Sequence, residues 1–228
     1  MFLSGNVEAL IISFISVCAA LIFYDVFCAV SIGSRAAGIR KNAADNDAVV
    51  RILSSPRKLR SEERLLTVEA ALNRLRESDR ELYSRYKETA AGTFSELLCK
   101  GNGKDDVITA YVLYLSAKYD LFYHTADEAV KRELLFMTTS ENLYLRENAL
   151  RCIYSTGDEE LVYKALVRLD SCKMMRHYPF LPDGLKTFSG DRQKLMDRLN
   201  AHFSEFGADM QSVLTAFSQA ANHAEIGR

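Results

Sequence analysis

Side chains that could catalyse a reaction or hold a metal ion are few and scattered in this sequence. The four histidines are His124, His177, His202 and His223. None belongs to an H-E-x-x-H motif, and none has a second histidine or cysteine at metal-ligand spacing on one helix face. No G-x-S-x-G, Walker A or G-x-G-x-x-G motif occurs. The sequence therefore predicts a protein that is not an enzyme and uses no metal or cofactor.

The paired carboxylates have a structural explanation. Glu62-Glu63, Asp105-Asp106 and Glu159-Glu160 all occur where helices are expected to start. Negative charge interacts favourably with the N-terminal end of a helix dipole. These pairs are therefore interpreted as helix-start residues and not as a general acid and base.

The composition favours an all-α protein that does not bind nucleic acid. The chain has 48% hydrophobic residues but only 3 Pro and 11 Gly, and such a scarcity of helix breakers suits long helices. Lys and Arg total 29 and Asp and Glu total 30, whereas a general nucleic-acid binder usually carries a basic excess.

The cysteines indicate a reducing compartment. The five are scattered, with no C-x-x-C pair, as expected for buried free thiols: Cys18, Cys28, Cys99, Cys152 and Cys172. A disulfide between Cys152 and Cys172 is the alternative that the sequence leaves open.

The N-terminal segment has the length and apolar character of a transmembrane helix. Residues 9–24 carry no charge, and the apolar run resumes after Asp25 and continues to Ile32. At about 1.5 Å per residue this segment can cross a hydrocarbon core of about 30 Å. The first eight residues contain no Lys or Arg, which argues against a cleaved signal peptide. Asp25 either contacts a partner transmembrane helix or lies at the interface within reach of water.

Charge after this helix sets the expected orientation. Residues 34–64 carry eight basic and four acidic side chains, so the positive-inside rule places them in the cytoplasm and the N-terminus outside. Arg35, Arg40 and Lys41 could also contact anionic lipid headgroups. The expected organisation is an anchor at 1–33, a basic linker with a short helix at 34–60, a helical-repeat domain at 61–223 and a tail at 224–228.

Helical periodicity recurs along the rest of the chain. Apolar spacing predicts helices near Glu62–Arg76, Asp79–Leu98 and Asp105–Tyr123. Ser78, with Glu81 three residues later, predicts the start of the second of these helices as a capping box.

A repeat follows in the second half of the chain. Thr125-Ala-Asp-Glu128 and Thr156-Gly-Asp-Glu159 stand 31 residues apart, and both fit a capping box. The following helices match at the same offset, which pairs Phe136 with Val167, and the preceding helices match at an offset of 32. A period of about 31 residues with two helices per period is typical of an α-solenoid.

The segment Leu145–Leu161 resembles a bacterial HEAT-type repeat, and Phe180–Asp191 with the helices after it resembles the later part of membrane-anchored members. The resemblance implies that the second helix of each pair lines an inner, partner-facing curve. By that resemblance the candidate interface residues are Lys131, Arg132, Tyr163, Lys164 and Arg168, unless their helix face is simply solvated.

A long connection from Ser171 to Gly190 adds further interface candidates, because long irregular loops are often functional. Its residues suited to a protein interface are Met174, Met175, Arg176, Tyr178 and Phe180. Alternatively, these side chains pack into the last repeat.

Three hypotheses for function follow. The first is a non-catalytic protein-binding scaffold held at the cytoplasmic membrane face by its single N-terminal helix. The second is an accessory subunit of a membrane enzyme complex, for example an envelope-polysaccharide glycosyltransferase, with Asp25 in the interface. The third is an enzyme of a HEAT-like class, a lyase or a DNA glycosylase, which the lack of convergent acids or histidines disfavours.

Overall fold

The computed structural model describes residues 28–100, 105–172, 185 and 187–226. Every regular element in these ranges is helical, so the all-α prediction is confirmed for the part of the chain described. The α-helices are α1 (28–44), α2 (Asn46–Leu53), α3 (Glu62–Ser78), α4 (Arg80–Lys100), α5 (Asp106–Lys118), α6 (Glu128–Met137), α7 (Leu143–Ser155), α8 (Glu159–Ser171), α9 (Arg192–Ala201) and α10 (Ala208–Ile226). Short 3₁₀ turns span Pro56–Leu59 and Phe203–Glu205.

None of the helices in these ranges is long and apolar enough to cross a membrane. The predicted anchor covers residues 9–32, and most of it, with Asp25, lies outside the described residues. The anchor and the orientation derived from it therefore stay predictions.

The segment predicted as a basic linker contributes to the core. Val49, Leu53 and Leu59 are fully buried against α3 and α4. The Thr93 hydroxyl donates to the Leu53 carbonyl at 2.6 Å, and the Tyr86 hydroxyl donates to a carbonyl at the start of α2 at 3.0 Å. These bonds fix α2 on the helices that follow.

Aspartates, and not threonines, cap the second helices of the two repeat units. The carboxylates of Asp127 and Asp158 accept hydrogen bonds from first-turn backbone amides at 2.8 and 2.9 Å. The hydroxyls of Thr125 and Thr156 instead donate to carbonyls of the preceding turn. The predicted capping boxes were therefore wrong, because each helix starts two residues later than the pattern indicated and places its aspartate at the N-cap.

The predicted start of α4 at Ser78 was wrong in a similar way. Helix α3 continues through Ser78, whose hydroxyl donates to the Arg74 carbonyl at 2.9 Å. The Asp79 carboxylate accepts from the Leu82 amide at 3.0 Å and caps α4 in place of Ser78.

The central helices form two rows. Helices α3, α5 and α7 pack successively in one row, and α4, α6 and α8 pack in the other. The N-terminal ends of α5 and α7 meet where the Asn142 amide donates to the Asp106 carboxylate at 3.1 Å. Their C-terminal ends meet where the His124 backbone amide donates to the Thr156 carbonyl at 2.9 Å. Equivalent helices thus run in the same direction, and α5–α6 and α7–α8 are stacked helix pairs.

The two helix pairs do not share a single period. The starts of α6 and α8 are 31 residues apart, as predicted, but those of α5 and α7 are 37 apart, so the offset of 32 for the first helices was wrong. The reason is the connection from α5 to α6, which takes nine residues where that from α7 to α8 takes three. The predicted helix to Tyr123 accordingly ends at Lys118, and Asp120 takes a left-handed conformation with φ of 48°.

Successive turns stack on one another at the C-terminal ends of α5 and α7. Gly157 has φ of 70°, which glycine adopts without a β-carbon clash. A β-carbon there would lie 2.8 Å from Cε2 of Tyr123. The Ser189 amide donates to the Tyr154 carbonyl at 3.1 Å and adds the next turn to the stack.

Candidate functional site

Lys131, one of the predicted interface residues, is engaged within the fold. Its Nζ lies 2.7 Å from the Asp158 carboxylate and 3.1 Å from that of Glu128. Burial alone would raise the pKa of Asp158, but hydrogen bonds from Lys131 and the Leu161 amide outweigh it, and the pKa lies below its ordinary value. Hydrogen bonds to the carboxylates of Asp158 and Glu128 raise the pKa of Lys131. Lys131 therefore ties α6 to the start of α8.

Tyr163 lies beneath α9 and the turn that follows it. Its ring contacts the His202 ring at 4.9 Å and the Phe206 ring at 6.1 Å, and the Arg198 guanidinium lies 5.2 Å from its centroid. Lys164, by contrast, is exposed, 3.4 Å from the carboxylate of Glu160. The structure thus separates these two neighbours: Tyr163 supports α9, and Lys164 faces solvent.

Arg132 and Arg168 are both exposed. The Arg168 guanidinium donates to the Thr139 hydroxyl at 3.2 Å, so it reaches from α8 to the C-terminal end of α6. Arg132 donates from Nε to the Glu128 carbonyl one turn earlier at 3.3 Å. These two cations remain accessible to a partner.

The other predicted contacts fall in two groups. Arg35, Arg40 and Lys41 are exposed on α1. Lying outside the described residues are Asp25, Met174, Met175, Arg176, Tyr178 and Phe180.

A row of exposed apolar side chains occupies one end of the two helix pairs. We name it the apolar end and define it as Val107, Phe136, Leu143, Tyr144 and Val167. Tyr144 is 72% exposed, Phe136 67% and Val107 66%. Large apolar side chains this exposed, at the same end of two stacked helix pairs, are candidates for contact with another protein.

The positions of the apolar end repeat from one helix pair to the next. Val107 and Tyr144 are both the second residue of their helix, in α5 and α7. Phe136 and Val167 are both the ninth residue, in α6 and α8. The sequence paired Phe136 with Val167 as matching helix positions, and the structure shows that both lie outside the core. Apolar residues at helix positions two and nine, off the buried stripe, were the signal that could have found them.

A groove lies at the N-terminal end of α6, between α4 and the connection from α5 to α6. Its volume is about 560 Å³, and its lining includes Lys87, Glu88, Gly92, Asp120 and Tyr123. Burial raises the pKa of Asp120, although the positive charges of Lys87 and Arg76 oppose this. A β-carbon at Gly92 would meet no atom within 4 Å, so neighbouring atoms do not require glycine in this helix interior.

A polar cluster between α3 and α5 has a structural role. The Glu69 carboxylate receives the Lys118 ammonium at 2.6 Å and the Tyr111 hydroxyl. The Tyr119 hydroxyl donates to the Glu69 carbonyl or to the Asn73 side chain, at 3.1 and 2.9 Å. Burial, with the nearby Glu69 charge, raises the pKa of Tyr119 to about 12 against the opposing effect of Lys118. Each of these bonds joins the two helices.

A comparison with protein-family models, curated proteins and solved structures finds no match to this chain. The resemblance of Leu145–Leu161 to HEAT repeats therefore stays a prediction. In the described part of the chain, no group of three or more His, Cys, Asp or Glu side chains is placed to hold a metal ion.

Proposed function

We propose that this chain is a non-catalytic protein-binding scaffold, a HEAT-like α-solenoid that residues 9–32 hold at the cytoplasmic membrane face. The observation that carries the proposal is the apolar end, where successive helix pairs expose apolar side chains at equivalent positions. In stacked-repeat proteins such equivalent positions form one continuous surface, and these surfaces commonly bind other proteins.

The chemistry of the apolar end suits a protein partner. Phe136 and Tyr144 can fill pockets on a partner, and aromatic anchors of this kind supply much of the binding energy at interfaces. Single exposed apolar residues are ordinary on a protein surface, but a clustered set is a mark of an interaction site.

Exposed cations at its edge suggest which partner surface would fit. Arg168 follows Val167, and Arg132 lies one turn before Phe136. Arginine is enriched at interfaces and pairs well with carboxylates at a polar rim. We therefore expect the partner to present an apolar patch bordered by Asp or Glu.

The test is a crosslinking pull-down of the full chain from native membranes, with mass spectrometry of the captured proteins. The double variant Phe136→Ser/Tyr144→Ser removes the two largest anchors. The matched control is Val50→Ser, which changes an exposed apolar residue on α2. We expect the double variant to capture at least about tenfold less of a stoichiometric partner than the wild type. This corresponds to the loss of interface anchors worth about 1.4 kcal/mol or more.

Two results would argue against the proposal. One is equal capture by the double variant and the control, and the other is a chain that emerges from mild detergent without a partner. A chain lacking residues 1–33 separates recognition from targeting. If it still captures the same partner, the helical domain provides recognition, and if capture is lost, the N-terminal segment positions or forms the interface.

A further inference from the structure

A second concavity lies far from the apolar end in the chain, where α1, α2 and the 3₁₀ turn meet the start of α3. Its volume is about 440 Å³. The cationic side chains of Arg51, Lys58 and Arg64 line it, together with the polar side chains of Asn42 and Ser61. Three different elements therefore bring positive charge to one small space.

These cations are only weakly neutralised by the fold. Among the described residues, neither Lys58 nor Arg64 forms an ion pair: Lys58 donates to the Ser54 hydroxyl at 3.1 Å, and Arg64 donates to the Lys58 carbonyl at 2.9 Å. Arg51 lies 3.9 Å from the Asp45 carboxylate, and both side chains are more than half exposed, so water screens the pair.

The lining contains one carboxylate, Glu63, against the three cations. Glu63 forms no ion pair with Lys58 or Arg64, although all three border the same space. The pocket thus keeps a net positive charge, and the Ser61 hydroxyl, which makes no capping bond to α3, is free to donate to a ligand.

We propose that this pocket binds a phosphate group. Two arginines, a lysine and a serine that border one concavity supply guanidinium, ammonium and hydroxyl donors suited to the several oxygens and double negative charge of a phosphomonoester. Guanidinium groups in particular bind phosphate oxygens in pairs. The site goes beyond the proposed scaffold function and shares no residue with the apolar end.

The phosphate could belong to a lipid headgroup or to a water-soluble metabolite, and the two sources differ in what else the ligand carries. The test uses the full chain in detergent and isothermal titration with two phosphomonoesters, dioctanoyl phosphatidate and glycerol 3-phosphate. Dioctanoyl phosphatidylcholine, which has the same acyl chains but a zwitterionic headgroup, serves as the ligand control.

Variants then assign binding to the pocket. Lys58→Gln/Arg64→Gln removes two of the lining cations, and Arg57→Gln with Arg60→Gln removes the same charge from neighbouring exposed positions outside the lining. We expect the pocket variant to weaken phosphomonoester binding at least tenfold and the control to change it less than threefold. Glu63→Gln should strengthen binding. Circular dichroism checks that each variant keeps its helical content.

Tighter binding of phosphatidate than of glycerol 3-phosphate would identify a lipid headgroup, and equal binding would identify a soluble phosphate ligand. The proposal is overturned if neither phosphomonoester binds more tightly than phosphatidylcholine. It is also overturned if the pocket and control variants weaken binding equally, since diffuse surface charge would then explain the effect.

Discussion

Asp158 performs two tasks, and replacing it with alanine should destabilise the protein more than replacing any other helix cap of the repeat. Its carboxylate caps α8 through the Leu161 amide and also receives the Lys131 ammonium from α6. Asp127 caps α6 in the same way, through the Val130 amide, but has no ion pair among the described residues. Asp127→Ala is therefore the matched control for the cap alone.

The magnitude follows from these contacts. Loss of an aspartate N-cap costs about 1 kcal/mol of unfolding free energy. The ion pair joins two side chains that are each about three-quarters buried, which should add about 1 kcal/mol, near the upper end of the range for exposed pairs. Asp158→Ala should thus lose about 2 kcal/mol, or roughly 4–8 °C in Tm for a chain of this size, and Asp127→Ala about half of that.

Thermal and urea unfolding followed by circular dichroism measure these differences. Asp158→Asn separates the two contributions, because asparagine caps a helix about as well as aspartate but cannot pair with Lys131 as an anion. We expect Asp158→Asn to lose about half as much unfolding free energy as Asp158→Ala. Glu159→Gln, at the position of the predicted capping-box glutamate, should change the unfolding free energy by less than about 0.5 kcal/mol.

The pH dependence provides a second check on Asp158. Its folded pKa is depressed, so its stabilisation is present above the unfolded pKa of about 3.9 and is lost as pH falls through the folded pKa. The difference in unfolding free energy between the wild type and Asp158→Asn should therefore have its largest value at pH 7 and decrease below about pH 4. The reasoning would be refuted if Asp158→Ala and Asp127→Ala were equally destabilising, or if Glu159→Gln matched them.

Three further predictions test other parts of the fold. Gly157→Ala should cost about 1–3 kcal/mol in thermal unfolding because of its positive φ and the nearby Tyr123 ring, whereas Gly92→Ala should stabilise α4 by up to about 1 kcal/mol. Thr93→Val should lose about 1–2 kcal/mol in urea unfolding, since a buried carbonyl loses its donor. At pH 8, iodoacetamide followed by mass spectrometry should label exposed Cys172 but not Cys152, whose burial raises the pKa of its thiol.

Local patterns in the sequence predicted two of the long helices well. Apolar spacing placed α3 and α4 within a few residues of their observed ends, because one face of each must be buried whatever lies against it.

The same patterns failed where the answer depended on how the chain enters a helix. Thr156 and Asp158 are both good N-cap residues, and which of them caps the helix depends on the residue at which the preceding turn ends. That turn is fixed by contacts with Tyr123 and His124 from the previous helix pair. No local rule contains this information.

The candidate surfaces show the same limit. The interface residues predicted on α6 and α8 were inferred from the resemblance to HEAT repeats, yet Lys131 holds α8 and Tyr163 is half-buried against the turn after α9. Tyr144 and Phe136, which the prediction did not select, are the most exposed aromatic residues of the described chain. Which apolar side chains remain uncovered depends on where the neighbouring helices end, and the sequence of one helix does not specify that.

The sequence by itself determined an all-α chain, the approximate bounds of α3 and α4 and the basic character of residues 34–64, because periodicity, composition and charge are local properties. The tertiary structure decided the stacking of α5–α6 on α7–α8 with unequal spacing, the exposure of the apolar end and the convergence of Arg51, Lys58 and Arg64 on one pocket. These features arise from contacts between residues far apart in the chain, whose geometry depends on connection lengths and packing that local patterns do not encode.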